Sequence, residues 1–158
     1  MTERKDRLRV LIVEDSTFMR KVLHDIIAAD PEMEIVGEAR DGREGVELAQ
    51  TLKPDVITMD INMPHLDGLQ ATEIIMSQSP GPIVMVSSES REGAGSTLRA
   101  LELGAVDFVP KPSSGVDLDM RRAGQELTRK LKSAARVRVV RTATLSRVGQ
   151  PAGKPSAD

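Results

Sequence analysis

The chain has no cysteine, tryptophan or tyrosine, and aromatics make up only 1% of its 158 residues, as Phe18 and Phe108. Without cysteine there are no disulfides, no thiolate nucleophile and no thiolate metal ligand, a composition compatible with the cytoplasm. Two phenylalanines do not make a base-stacking platform, so recognition of single-stranded nucleic acid by stacking is not expected. No apolar run reaches the length of a membrane span, so no membrane insertion is expected. Met1 to Arg9 is charged and lacks the apolar core of a signal peptide. Histidine is limited to His24 and His65, read as a surface residue of a helix and a loop residue. No Gly-x-Ser-x-Gly nucleophile elbow is present.

Charge is present but uneven. Arg129 to Asp158 holds eight Lys/Arg and one acid, a local +7, which leaves -9 on the rest of a chain whose total is -2. That pattern predicts an acidic domain followed by a basic tail. Gly149, Pro151, Gly153 and Pro155 mark the tail as a flexible linker. The expected division is 1–131 as a domain and 132–158 as a helix end and linker.

The most informative stretch is Pro54 to Pro64. Val56 to Met59 is apolar and β-rich with no helical stripe, as in a strand buried on both faces. Asp60 ends that run, and the turn formers Asn62, Pro64, Asp67 and Gly68 follow. In open α/β sheets such a strand end is where ligands bind.

Similar units occur along the chain. Leu8 to Val13 predicts a first strand ending at Glu14-Asp15, and Ser16 can cap a helix with Phe18, Val22, Leu23, Ile26 and Ile27 facing inward. On this pattern Arg20, Lys21, His24 and Asp25 face outward. Glu34 to Ala39 alternates and suits a sheet edge. Asp41 and Glu44 have the spacing of a capping box for a helix with Val46, Ala49 and Leu52 inside. Asp67 caps a third helix through Ser77, with Leu69, Ile74, Ile75 and Met76 as core. Ile83 to Val86 is a fourth strand, ending at Ser87-Ser88. Leu98, Leu101 and Leu103 fit a fourth helix closed by Gly104. Ala105 to Val109 is a fifth strand, ending at Pro110-Lys111-Pro112. A last helix runs from about Asp117 to about Ala135, with Leu127 and Leu131 inside and Gly124 weakening its middle. Strict alternation predicts a five-stranded parallel sheet with helices on both faces, in the flavodoxin-like order 2-1-3-4-5.

In such a sheet Glu14, Asp15, Asp60, Ser87 and Lys111 share one rim. Three carboxylates side by side repel one another unless a cation joins them. Oxygen ligands without His or Cys suit Mg²⁺, with Mn²⁺ as an alternative. Ser87 can donate to a phosphoryl oxygen and Lys111 can pair with a phosphate or with Asp60. Each residue alone also fits a plainer role: a helix N-terminal charge pair, a turn serine, a surface lysine, a core phenylalanine. Together they are the parts for moving a phosphoryl group onto an aspartate.

Leu11-Ile-Val-Glu-Asp-Ser, Asp60-Ile-Asn-Met-Pro-His-Leu-Asp-Gly and Phe108-Val-Pro-Lys-Pro resemble the receiver domain of two-component response regulators, from about Arg7 to Leu131. Asp30-Pro-Glu-Met-Glu-Ile-Val-Gly, Pro54-Asp-Val-Ile-Thr-Met-Asp, Met85-Val-Ser-Ser-Glu and Thr97 to Val109 look most like the regulatory domain of the chemotaxis protein-glutamate methylesterase. The resemblance implies Asp60 as phosphoacceptor from a histidine kinase. It implies Mg²⁺ held by Asp15, Asp60 and the Asn62 backbone carbonyl, with Glu14 acting through water. Ser87 and Lys111 would contact the phosphoryl group, and Phe108 would be the buried or swung aromatic of a switch formed by the fourth helix, fifth strand and fifth helix. Asn62 and Glu89 would tune hydrolysis, and the Lys111-Pro112 bond would be cis. Residue 14 is Glu where Asp is commoner, residue 87 is Ser for Thr, and residue 108 is Phe for Tyr, which removes a hydroxyl from the switch.

The resemblance implies a methylesterase effector domain beyond the linker, so the chain is expected to be the regulatory portion of such a protein and not itself catalytic. A stand-alone receiver serving as phosphate sink or scaffold is the alternative. A haloacid-dehalogenase-like phosphatase needs an acid where Asn62 stands. A DNA-binding regulator needs a groove-reading scaffold that Arg136 to Lys154 does not offer, so no nucleic-acid partner is expected.

Overall fold

The computed structural model describes residues 7–87, 94–111 and 117–137. Five strands, β1 (Leu8–Val13), β2 (Met33–Ala39), β3 (Val56–Asp60), β4 (Ile83–Ser87) and β5 (Asp107–Pro110), alternate with five helices. The helices are α1 (Thr17–Ala28), α2 (Gly42–Leu52), α3 (Gly68–Gln78), α4 (Ala94–Leu103) and α5 (Asp117–Ala134). The sheet is parallel throughout, in the order β2-β1-β3-β4-β5. The predicted order is the one observed, with the alternating β2 at an edge.

Strand side chains alternate between two apolar layers, as the two-residue period of a pleated strand requires. Leu11, Val13, Ile57, Met59, Ile83 and Met85 face one layer, packed with Ala49, Ala71, Ile75, Met76 and Ala100 of α2, α3 and α4. Val10, Ile12, Val56, Val84, Val86 and Val109 face the other, with Leu23 and Ile27 of α1 and Leu127 and Leu131 of α5. Covering on both faces explains why β3 and β4 are buried along their whole length.

Helix starts follow local chemistry. Ser16 Oγ accepts from the Met19 amide at 3.2 Å. Asp41 Oδ1 accepts from the Glu44 amide at 2.9 Å, but Glu44 Oε1 takes the Arg40 amide at 2.8 Å instead of that of Asp41. The reciprocal capping box lies at α3, where Asp67 and Gln70 each accept the other's amide.

Several predicted inward residues lie elsewhere. Phe18 is 60% exposed. It precedes Leu23 by five positions, about 140° around a helix of about 3.6 residues per turn, and so points away from the stripe. Leu98 is 61% exposed, and Ala100 takes the buried place on α4. Ile74 is half-buried and belongs to neither layer. β5 begins at Asp107, two residues later than predicted, and includes Pro110, which an edge strand tolerates. Gly124 faces Ile26 of α1, and an added Cβ would meet Ile26 Cγ2 at 3.4 Å, an ordinary contact, so the packing does not demand a glycine there.

Leu11→Ala should cost about 2–5 kcal/mol of unfolding free energy in urea, because Leu11 is fully buried. Phe18→Ala should stay within about 0.5 kcal/mol of the parent. Equal losses would contradict the assigned layers.

Candidate phosphoryl-transfer site

The C-terminal ends of β1, β3, β4 and β5 meet on one rim. Val13 pairs with Met59, Asp60 with Val86, and Ser87 with Pro110. The rim therefore brings together Glu14, Asp60, Ser87 and Lys111, which are far apart in the chain. Glu14 is fully buried, Asp60 is 3% exposed and Ser87 is 5% exposed. Asp15 and Asn62 are exposed at the mouth. Glu14, Asp15 and Asp60 can each offer an oxygen within 4.8 Å of the others.

Lys111 answers part of this negative charge. Its Nζ lies 3.1 Å from Glu14 Oε2 and 3.3 Å from Asp60 Oδ1. Its own amide donates to the Ser87 carbonyl at 2.8 Å, which ties β5 to β4 at the site. Burial works against its ammonium, but Asp60 and Glu14 outweigh that and raise its pKa. Phe108 lies outward and 41% exposed. Lys130 Nζ sits 5.1 Å from its ring centroid and donates to its carbonyl at 2.9 Å. Glu89 and the Lys111-Pro112 bond fall outside the described residues.

One ammonium does not balance three carboxylates. Burial, then the neighbouring Glu14, push the Asp60 carboxyl up to about 8 against the pull of Lys111. A protonated Asp60 can share its proton with Asp15 or Glu14. Ionised, it leaves Oδ2 buried without a hydrogen-bond partner, as is Glu14 Oε1. Two orphaned carboxylate oxygens beside a third acid form an oxygen-only donor set that fits a hard divalent cation.

Two features of the site escaped sequence reasoning. Gly68 is more than a turn residue: a Cβ there would run into the Asp60 carbonyl oxygen and come within 2.8 Å of Ile61 Cα. Its amide donates to the Ile61 carbonyl at 2.7 Å, folding the loop after β3 back on itself. A glycine directly after the capping Asp67 was the available signal. The second is Arg20, placed outward by its helical position but folded back so that Nη1 donates to the Glu14 carbonyl at 2.8 Å.

The model of the response regulator receiver domain matches residues 10–123. This chain belongs to that family. A protein-glutamate methylesterase/protein-glutamine glutaminase of Pyrococcus abyssi is 52% identical over 131 residues, which are 83% of this chain and 36% of the relative. The chain thus spans little more than a third of that relative. The crystal structure of the response regulator domain of Thermotoga maritima CheB is 51% identical with a TM-score of 0.76, covering 84% of this chain and 98% of that one. The crystal structure of the P1 domain of CheA3 in complex with CheY6 from R. sphaeroides contains a receiver-like chain 32% identical, with a TM-score of 0.69 and coverage of 84% and 99%. Among the described residues, no helix is long and apolar enough to cross a membrane.

The raised Asp60 pKa sets a pH dependence. The folded state holds a proton between the ordinary value of 3.8 and about 8, where the unfolded state does not. Stability without divalent cation should therefore fall as pH rises across that window. Asp60→Asn should flatten the dependence and be more stable than the parent at pH 8 in EDTA, read by thermal melting. Parallel pH profiles for the two proteins would contradict the assignment.

Proposed function

We propose that Asp60 is the phosphoacceptor of this receiver, taking a phosphoryl group from a histidine kinase of a chemotaxis system. The observation that carries this reading is the buried Asp60, with Lys111 Nζ at 3.3 Å and two further acids beside it at the rim. Asp15, Asp60 and the Asn62 backbone carbonyl would hold Mg²⁺, or Mn²⁺ in its place, with Glu14 acting through water. The cation, when bound, supplies positive charge to the carboxylates and to the incoming phosphoryl oxygens.

Asp60 attacks as the carboxylate. One of its oxygens forms a bond to phosphorus while the bond from phosphorus to the kinase imidazole nitrogen breaks. The imidazole leaves with the electron pair and takes up a proton, and an acyl phosphate remains on Asp60. Lys111, already paired with Asp60, meets the new negative charge from the β5 side. Ser87, at the end of β4, donates to a phosphoryl oxygen. Phe108 reports the change on the surface of α4, β5 and α5, and Asn62 and Glu89 tune hydrolysis.

The chain acts as a regulatory unit in the cytoplasm. Residues 1–131 form the receiver, and 132–158 lead toward a methylesterase effector that phosphorylation releases from inhibition. The similarity to the Pyrococcus abyssi methylesterase and to the CheB response regulator domain supports this effector. The CheA3–CheY6 complex supports a kinase as phosphoryl donor.

Intact-mass measurement after incubation with acetyl phosphate and Mg²⁺ tests the reading. The expected result is one phosphoryl adduct that requires Mg²⁺ and is absent from Asp60→Asn. An adduct that persists in Asp60→Asn would overturn Asp60 as acceptor. No adduct, beside a receiver of known activity that is labelled, would contradict phosphorylation by small donors.

A further inference from the structure

Arg20 lies early in α1, yet its side chain is only 15% exposed. Its guanidinium reaches in two directions. Nη1 donates to the Glu14 carbonyl oxygen at 2.8 Å, and Nε lies 3.7 Å from Glu38 Oε1 on β2. The other Glu38 oxygen, Oε2, is 2.7 Å from His24 Nδ1, one helical turn along α1. The guanidinium thus pairs with a carboxylate that His24 also contacts.

The carbonyl that Arg20 binds belongs to the peptide joining Glu14 to Asp15. The rest of Glu14 is held by other contacts: its amide donates to Ala39 O at 3.0 Å, and its Oε2 accepts from the Ser16 amide at 3.2 Å and from Lys111 at 3.1 Å. Asp15 is exposed and follows the last residue of β1 by two. Rotation of the Glu14–Asp15 peptide would swing the Asp15 carboxylate away from Asp60 while leaving the strand intact. Arg20 opposes that rotation from the carbonyl side. A planar guanidinium suits the task because its fork can satisfy a carbonyl and a carboxylate at once.

We propose that Arg20 is a positioning residue for the divalent-cation site, orienting the Glu14–Asp15 peptide, with Glu38 and His24 bracing its guanidinium. This rests on the reading that Glu14, Asp15 and Asp60 hold a cation. Arg20 acts through the Glu14 carbonyl and not by touching the phosphoryl group.

The test is calorimetric titration of the chain with Mg²⁺, for the parent, Arg20→Ala and Arg20→Lys. Thermal melting in EDTA and amide hydrogen exchange at Asp15 and Ser16, both without metal, accompany it. Arg20→Ala is expected to bind Mg²⁺ roughly tenfold to a hundredfold more weakly, as loss of a group that orients metal ligands does. Its Asp15 and Ser16 amides should exchange faster in EDTA. Arg20→Lys, which keeps the charge but not the two-way fork, should fall between Ala and the parent. Parent affinity in Arg20→Ala would overturn the proposal while leaving the carboxylate site standing. So would variants that lower the melting temperature yet bind Mg²⁺ as the parent does. If Arg20→Ala does not fold, Arg20→Lys decides, and unchanged affinity there overturns the proposal. A parent that binds no Mg²⁺ would overturn the cation site itself, and the role of Arg20 with it.

Discussion

Glu14 and Asp60 lie in the same buried rim with oxygens within 4.8 Å of each other. Two unit charges at that spacing repel by about 3–4 kcal/mol at an effective dielectric of about 20. That is a large part of the roughly 5–15 kcal/mol that holds a domain together. Lys111 relieves some of it from 3.1 and 3.3 Å. What remains is met by a proton on Asp60 or by a cation among the acids. Without a cation the proton prevails at neutral pH, because burial and Glu14 raise the Asp60 pKa to about 8. A protonated carboxyl is a poor nucleophile. The same repulsion that raises the Asp60 pKa favours a divalent cation among these acids over a bare ionised carboxylate.

The fold is what keeps the charges together against this repulsion. Each charged rim residue stands at or just beyond the end of a strand, and those strands are locked by apolar layers on both faces. Gly68 lets the loop after β3 close against the backbone of Asp60 and Ile61. The Lys111 amide is tied to the Ser87 carbonyl, which anchors the backbone of the lysine to the end of β4. The outward Phe108, held by Lys130, gives the rim a second point of contact with α5.

The sheet order could be read from the sequence because apolar runs and turn formers alternate strand with helix along the whole described fold, even where single inward positions are misplaced. The rim residues could be read because each is a polar residue ending an apolar run. Other features could not. Phe18 is apolar and lies near the right spacing, but its angle about the helix axis turns it to solvent. The start of β5 depends on pairing with β4, which local pattern does not encode. Arg20 looks like any outward helix charge until the end of β1 is placed beside it and its guanidinium folds back to Glu14. Gly68 reads as turn chemistry, while its need is tertiary, set by the Asp60 backbone passing beside it.

On the proposed reading, Asp60 is held uncharged by its neighbours until a cation arrives. A ¹³C NMR titration of the Asp60 carboxyl, with and without Mg²⁺ and assigned by Asp60→Asn, measures this directly. The expected result is an Asp60 midpoint near 8 in EDTA, displaced downward by Mg²⁺. A midpoint in the ordinary aspartate range in EDTA, unmoved by Mg²⁺, would contradict it.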